Sequence, residues 1–176
     1  MTKVFLGRFQ PLHLGHKNVI ENQDDLVVAV GSSGKSGEEE NPLSFEQRKR
    51  LIKDCFPDVE VVGVEDTEDD VEWLRNLLEK TGADTILSRN SNVRAIVENS
   101  DRDVKVVKQE LYDEEIYSGT EVRRRIRSGE EWRYLTPPCC KESLEEFLED
   151  IKDSGIQHEF EPGWKRENAS YDTAEK

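Results

Sequence analysis

Cysteine is scarce in this chain: Cys55, Cys139 and Cys140 are its only three in 176 residues. An odd number with no Cys-x-x-Cys spacing argues against a disulfide framework and against a structural zinc site. Adjacent cysteines do not bridge each other without strain. A reducing interior is therefore the expected setting. No apolar run approaches the roughly 18 residues of a membrane span. The N-terminus enters a strand-like pattern directly, without the regions of a signal peptide. The expectation is a cytoplasmic chain with no membrane partner. Net positive charge is also lacking: at −14 overall, non-specific nucleic-acid binding is excluded. A negative body repels a polyphosphate at long range, so any nucleotide site must be locally basic. No internal repeat is found.

The chain does carry clustered apolar runs and 39 acidic residues. The acidity fits a high-salt cytoplasm, where acidic surfaces stay solvated. It fits equally an ordinary acidic protein with a charged tail. Val4–Gly7, Leu26–Val30, Val59–Val64, Thr85–Leu87 and Val104–Val107 read as five buried strands. Helices are expected over Leu14–Asn22, from Ser44 to Cys55, over Asp70–Thr81 with Gly82 as its stop, over Val93–Glu98, from Ser118 to Arg127, and over Ser143–Ile151. Ser44…Gln47 and Ser118…Glu121 both have capping-box spacing. Strands without period-2 alternation, each followed by a helix, imply a parallel sheet covered on both faces. The expected class is α/β, a Rossmann-like doubly wound parallel sheet with a small C-terminal helical appendage. The expected divisions are residues 1–135 for the main domain, 136–155 for a helix packed on it, and 156–176 for a polar tail anchored at most by Phe160, Trp164 and Tyr171.

In such sheets ligands bind beyond the carboxyl ends of the strands. The loop after the first strand is therefore the place to look, and it reads Gly7-Arg-Phe-Gln-Pro-Leu-His13-Leu-Gly-His16. Two histidines three apart at a helix start face one side. The helix end offers unpaired N–H groups and positive potential to a phosphate. Gly15 permits close approach, and Gly7 ends the strand where the chain must turn. A lone histidine there would more often cap or pack the helix; the whole string favours a phosphate site. A second capped helix start, Tyr117-Ser118-Gly119-Thr120-Glu121-Val-Arg123-Arg-Arg125, brings hydroxyls and arginine to the same task. Arg124 and Arg125 read equally as a solvated basic face. Gly31-x-x-Gly34-Lys35-Ser36 mimics the end of a P-loop, but the position of its first glycine is Ala29, so that reading fails.

With these two strings the sequence resembles the HxGH nucleotidyltransferase superfamily, and in particular its archaeal-type nicotinamide mononucleotide adenylyltransferases. The resemblance runs from about residue 3 to 153 and takes in Gly31–Ser36, Asn41-Pro42, Phe45–Arg48, Val64–Asp66, Trp73 and Gly129–Leu135. It implies ATP and nicotinamide mononucleotide (NMN) as substrates, NAD and pyrophosphate as products, and a homo-oligomer, often hexameric. It implies Arg8, His13, His16 and Arg123 as the catalytic set. ATP would be bound by Gly7, Arg8, Phe9, His13, Gly15, His16, Arg48, Tyr117, Ser118, Gly119, Thr120 and Arg123. The acceptor would meet Gly31, Ser32, Asp66, Trp73 and Asn90. Trp73 would stack on the pyridinium ring or serve as a core aromatic. The chain departs from the family where Ser88-Arg89-Asn90-Ser91 replaces a Ser-Gly-Asn-Pro-like stretch, and in the acidic run Gly37–Glu40.

The implied chemistry is in-line attack on the α-phosphorus of ATP. Arg8, Arg48 and Arg123 would clamp the triphosphate, the histidines would donate, favoured in their charged forms by the phosphates, and Mg²⁺ would be held mainly by the phosphates because the motifs supply no carboxylate cage. A sister transferase acting on phosphopantetheine, a flavin nucleotide or glycerol phosphate would use the same two strings. A non-catalytic nucleotide-binding regulator is the reading from another class.

Overall fold

The computed structural model describes residues 1–109, 113–160, 168–170 and 172–173. Five parallel strands form one sheet: β1 (Lys3–Gly7), β2 (Leu26–Gly31), β3 (Glu60–Val64), β4 (Thr85–Ser88) and β5 (Lys105–Lys108). Their order is β3-β2-β1-β4-β5. The chain winds outward from β1 to β3, then crosses back and continues through β4 to β5, so the winding reverses between β1 and β4. The connecting helices are α1 (Leu14–Glu21), α2 (Phe45–Cys55), α3 (Asp70–Thr81), α4 (Ser91–Glu98) and α5 (Gly119–Ser128).

The apolar runs explain the two cores. Successive residues of one strand point to opposite faces, and here both faces are covered. Phe5, Val28 and Leu87 join Val19, Leu51 and Val122 on one side. Val4, Ala29 and Ile86 join Leu74, Leu77 and Val93 on the other. The edge strand β5 is flanked by Lys105 and Lys108, which blunts it against pairing with another chain. The capping box of α2 forms completely, Ser44 Oγ accepting from Gln47 N while Gln47 Oε1 accepts from Ser44 N. That of α5 forms by half. Ser118 Oγ accepts from Glu121 N, but the Glu121 carboxylate pairs with Arg124 and Arg125 instead. Those two arginines are thus an ion-paired helix face. Gly82 and Gly129 end their helices in the left-handed conformation, at φ 65° and 79°.

Three expectations are corrected downstream. The single helix over Ser143–Ile151 is instead two, α6 (Lys141–Glu146) and α7 (Leu148–Phe160). The break places the Phe147 ring in the core beneath the Arg50 guanidinium. The helix also outruns the expected start of the tail at residue 156. Two short strands, β6 (Asn168–Ser170) and β7 (Asp172–Thr173), pair with each other beyond it, while the suggested anchors Trp164 and Tyr171 lie outside the described residues. Finally, Cys55 and Cys139 form a disulfide, with Cα atoms 5.2 Å apart. The partners lie 84 residues apart in sequence and meet only when the turn at Pro138–Cys140 packs on α2, a pairing that short Cys-x-x-Cys spacing does not reveal. Adjacent Cys140 stays free and buried, its thiol pushed up to about 12 by burial and the Asp54 carboxylate. The disulfide removes the ground on which a reducing interior was expected. Among the described residues no helix is long and apolar enough to cross a membrane.

Candidate active site

The loop leaving β1 is shaped by its own side chains. A Cβ on Gly7 would lie 3.1 Å from the buried Phe9 ring. Phe9 itself adopts a left-handed φ of 54°. Gln10 is buried and makes two 2.9 Å bonds to Leu43, its Nε2 donating to the carbonyl and its Oε1 accepting from the N–H. This ties the loop to the segment that leads into α2.

The histidines then begin α1. His13 is its N-cap, Nδ1 accepting from Gly15 N at 3.1 Å, and His16 Nδ1 accepts from His13 N at 3.2 Å. Their rings stack with centroids 3.7 Å apart, and both line the cleft. With each Nδ1 engaged as an acceptor, the ring proton belongs on Nε2. Burial lowers the His13 pKa to about 3, with the Arg89 charge adding to the effect, and holds His16 well below its ordinary range. Burial in the cleft thus favours the neutral imidazoles. Each still offers an Nε2–H donor.

The second string packs against the first. A Cβ on Gly119 would meet the Gln10 carbonyl at 2.9 Å, so only glycine fits there. Arg123 reaches the same carbonyl, Nη1 donating at 2.7 Å. Its Nε is buried without a hydrogen-bond partner, and burial lowers its pKa to about 10, which leaves it charged at neutral pH.

A cleft of about 730 Å³ opens over the carboxyl ends of β1, β2 and β4. It brings together Gly7, Arg8, Phe9, His13, His16, Ser118, Gly119, Thr120 and Arg123 from the two strings. Gly31, Ser32, Asp66, Trp73 and Asn90 meet there too. Ser32 Oγ donates to Asp66 at 3.0 Å, and Lys35 approaches the same carboxylate at 3.5 Å. Asn90 caps α4, its side chain accepting from Asn92 N.

Three expected residues do not line the cleft. Gly15 acts one step back, donating its N–H to His13. Tyr117 packs against the core. Arg48 is fully buried and faces backbone, so its assignment as a triphosphate clamp is corrected. Its guanidinium donates to the carbonyls of Arg8, Gly31, Ser32, Ser44 and Lys35 at 2.9–3.3 Å. The sequence reading passed over Gln10, Thr67, Asp70 and Asn92, all of which line the cleft. Only Gln10, inside the first string, carried a sequence signal.

Residues 4–125 match the model of the cytidylyltransferase-like family. The nicotinamide-nucleotide adenylyltransferase of Methanosarcina barkeri is 34% identical over 156 residues, covering 84% of this chain and 90% of its own. That of Methanolobus tindarius is 31% identical over 152 residues, covering 81% and 87%. The fold is shared with a bifunctional NMN adenylyltransferase/ADP ribose pyrophosphatase from Francisella tularensis, with a TM-score of 0.72 and 21% identity over 94% of this chain and 55% of that one. Fold, cleft and family match together define the class, a cytidylyltransferase-like nucleotidyltransferase. Within that class the chain belongs to the nicotinamide-nucleotide adenylyltransferase family.

Proposed function

We propose that the cleft transfers the adenylyl group of ATP to NMN, giving NAD and pyrophosphate. The observation that carries this reading is the convergence of His13, His16 and Arg123 on one cleft at the carboxyl ends of parallel strands. An NMN phosphate oxygen attacks the α-phosphorus. The bond to the bridging oxygen of the β-phosphate breaks, and its electron pair leaves with pyrophosphate. The phosphate nucleophile is already anionic, so no residue needs to remove a proton. Catalysis then rests on positioning and on donors aimed at the crowded phosphorus. His13 and His16 donate from Nε2, while Arg8 and Arg123 balance the triphosphate charge. Trp73, on the wall with Asp66, stacks on the cationic pyridinium ring.

Among the described residues no group of three or more histidine, cysteine, aspartate or glutamate side chains could hold a metal ion. Mg²⁺ accompanies the nucleotide phosphates. The test is formation of NAD and pyrophosphate from ATP with NMN, phosphopantetheine, flavin mononucleotide and glycerol phosphate offered separately. Product with NMN is expected. Product with another acceptor alone would make the chain a sister transferase, and ATP binding without pyrophosphate release would make it a regulator.

A further inference from the structure

Arg89 shares the cleft with both histidines and with Arg8 and Arg123. Its guanidinium lines the cleft at the end of β4 and is the cation whose field reaches both imidazoles. Arg8 and Arg123 lie within each other's field, in the company of Glu39 and Glu40. Arg89 directly precedes Asn90, the cap of α4, whose first turn holds Asn92 and whose Val93 and Ile96 pack in the same core as Trp73. Arg89 thus reaches the cleft from the end of β4, whereas Arg8 comes from the loop after β1 and Arg123 from α5.

Arg89 is also held in an exchangeable way. It makes a bidentate bridge to Glu114 at 2.8 and 3.2 Å, and both side chains are 43% exposed. A solvent-exposed ion pair contributes little to stability. A phosphate dianion offers the same fork geometry as the carboxylate and a larger charge. Arg48 is spent on carbonyls, and Lys35, beside Asp66, carries a point charge without a fork, so Arg89 is the guanidinium that the end of β4 brings to the cleft.

We propose that Arg89 binds the phosphate of the acceptor nucleotide, and that Glu114 holds the guanidinium in place until that phosphate displaces it. The proposal rests on the reading of the cleft as an adenylyl-transfer site with its acceptor beside Trp73.

Steady-state kinetics of Arg89→Ala, Arg89→Lys and Glu114→Gln test it, with thermal midpoints measured alongside. Arg89→Ala is expected to lower kcat/KM for NMN by about 10²-fold, while KM for ATP changes less than about threefold and the thermal midpoint is kept. Arg89→Lys restores part of the loss, as a point charge replaces a fork. Glu114→Gln removes the competitor, so its KM for NMN stays level or falls. Wild-type kinetics in Arg89→Ala, a rise in the ATP KM instead, or equal losses in Arg89→Ala and Glu114→Gln would each overturn the proposal, the last by showing a mere strut. A wild-type chain that makes no NAD would instead defeat the reading of the cleft on which the proposal rests.

Discussion

Replacing Arg48 by methionine separates a ligand clamp from a structural rivet. Methionine keeps most of the aliphatic volume and removes the five-donor fork. The guanidinium now joins carbonyls of the loop after β1 (Arg8), the loop after β2 (Gly31, Ser32 and Lys35) and the α2 cap (Ser44). Each bond from a charged donor contributes about 1.5 kcal/mol or more. The three shortest contacts outside its own helix, to Gly31, Arg8 and Ser32 at 2.9–3.1 Å, therefore account for about 4–5 kcal/mol. Removing a buried charge recovers some desolvation cost, which brings the expected loss to about 3–5 kcal/mol. In a domain of this size that is a fall in Tm on the order of 10 °C. Both loops line the cleft, so kcat/KM should fall for ATP and NMN alike. Urea unfolding and two-substrate kinetics read the two effects. Wild-type stability with a selective rise of tenfold or more in the ATP KM would refute the rivet and restore the clamp.

Other outcomes follow from the same geometry. His16→Ala should lower kcat by about 10²–10³, the worth of one preorganised donor, and cost about 1 kcal/mol through the lost cap to His13 N; near-normal turnover would remove His16 from the chemistry. The His13 pKa is near 3 when folded and 6.5 when unfolded, so the unfolded chain takes up the proton first as pH falls. Stability is then full above pH 6.5 and lost on acidification, by about 2 kcal/mol from His13 at pH 5. The Glu121 carboxylate, held down to about 2 by Arg124 and Arg125, adds its loss only below about pH 4.5. Denaturation at stepped pH should show this slope between pH 6.5 and 4.5 and a smaller one in His13→Asn; a flat wild-type curve would contradict buried neutral imidazoles. For the same reason, turnover should not decline between pH 6 and 8. Without reductant, denatured protein should expose one titratable thiol of the three. Cys139→Ser should cost up to about 4–5 kcal/mol by the chain-entropy account of an 84-residue separation; an unchanged urea midpoint would show that the bridge contributes nothing.

Local sequence determined what depends on local spacing. The strands were legible because runs such as Leu26–Val30 are buried on both faces and need no polar alternation. Gly82 stops α3 and Ser44 caps α2 by contacts within four residues. The two glycine-containing strings were legible as helix starts for the same reason, since His13 and Ser118 each cap their own helix. What failed depends on contacts across the chain. An arginine in an amphipathic helix looks the same whether it meets a phosphate or, like Arg48, three sets of carbonyls. The ring charge of His13 and His16 follows from how deeply the sheet and Phe9 bury them. Cys55 finds Cys139 only when the C-terminal segment packs on α2, and Arg89 finds Glu114 only when β4 and the approach to α5 are neighbours. Burial and long-range pairing are properties of the packed fold, because they depend on distances that sequence separation does not encode.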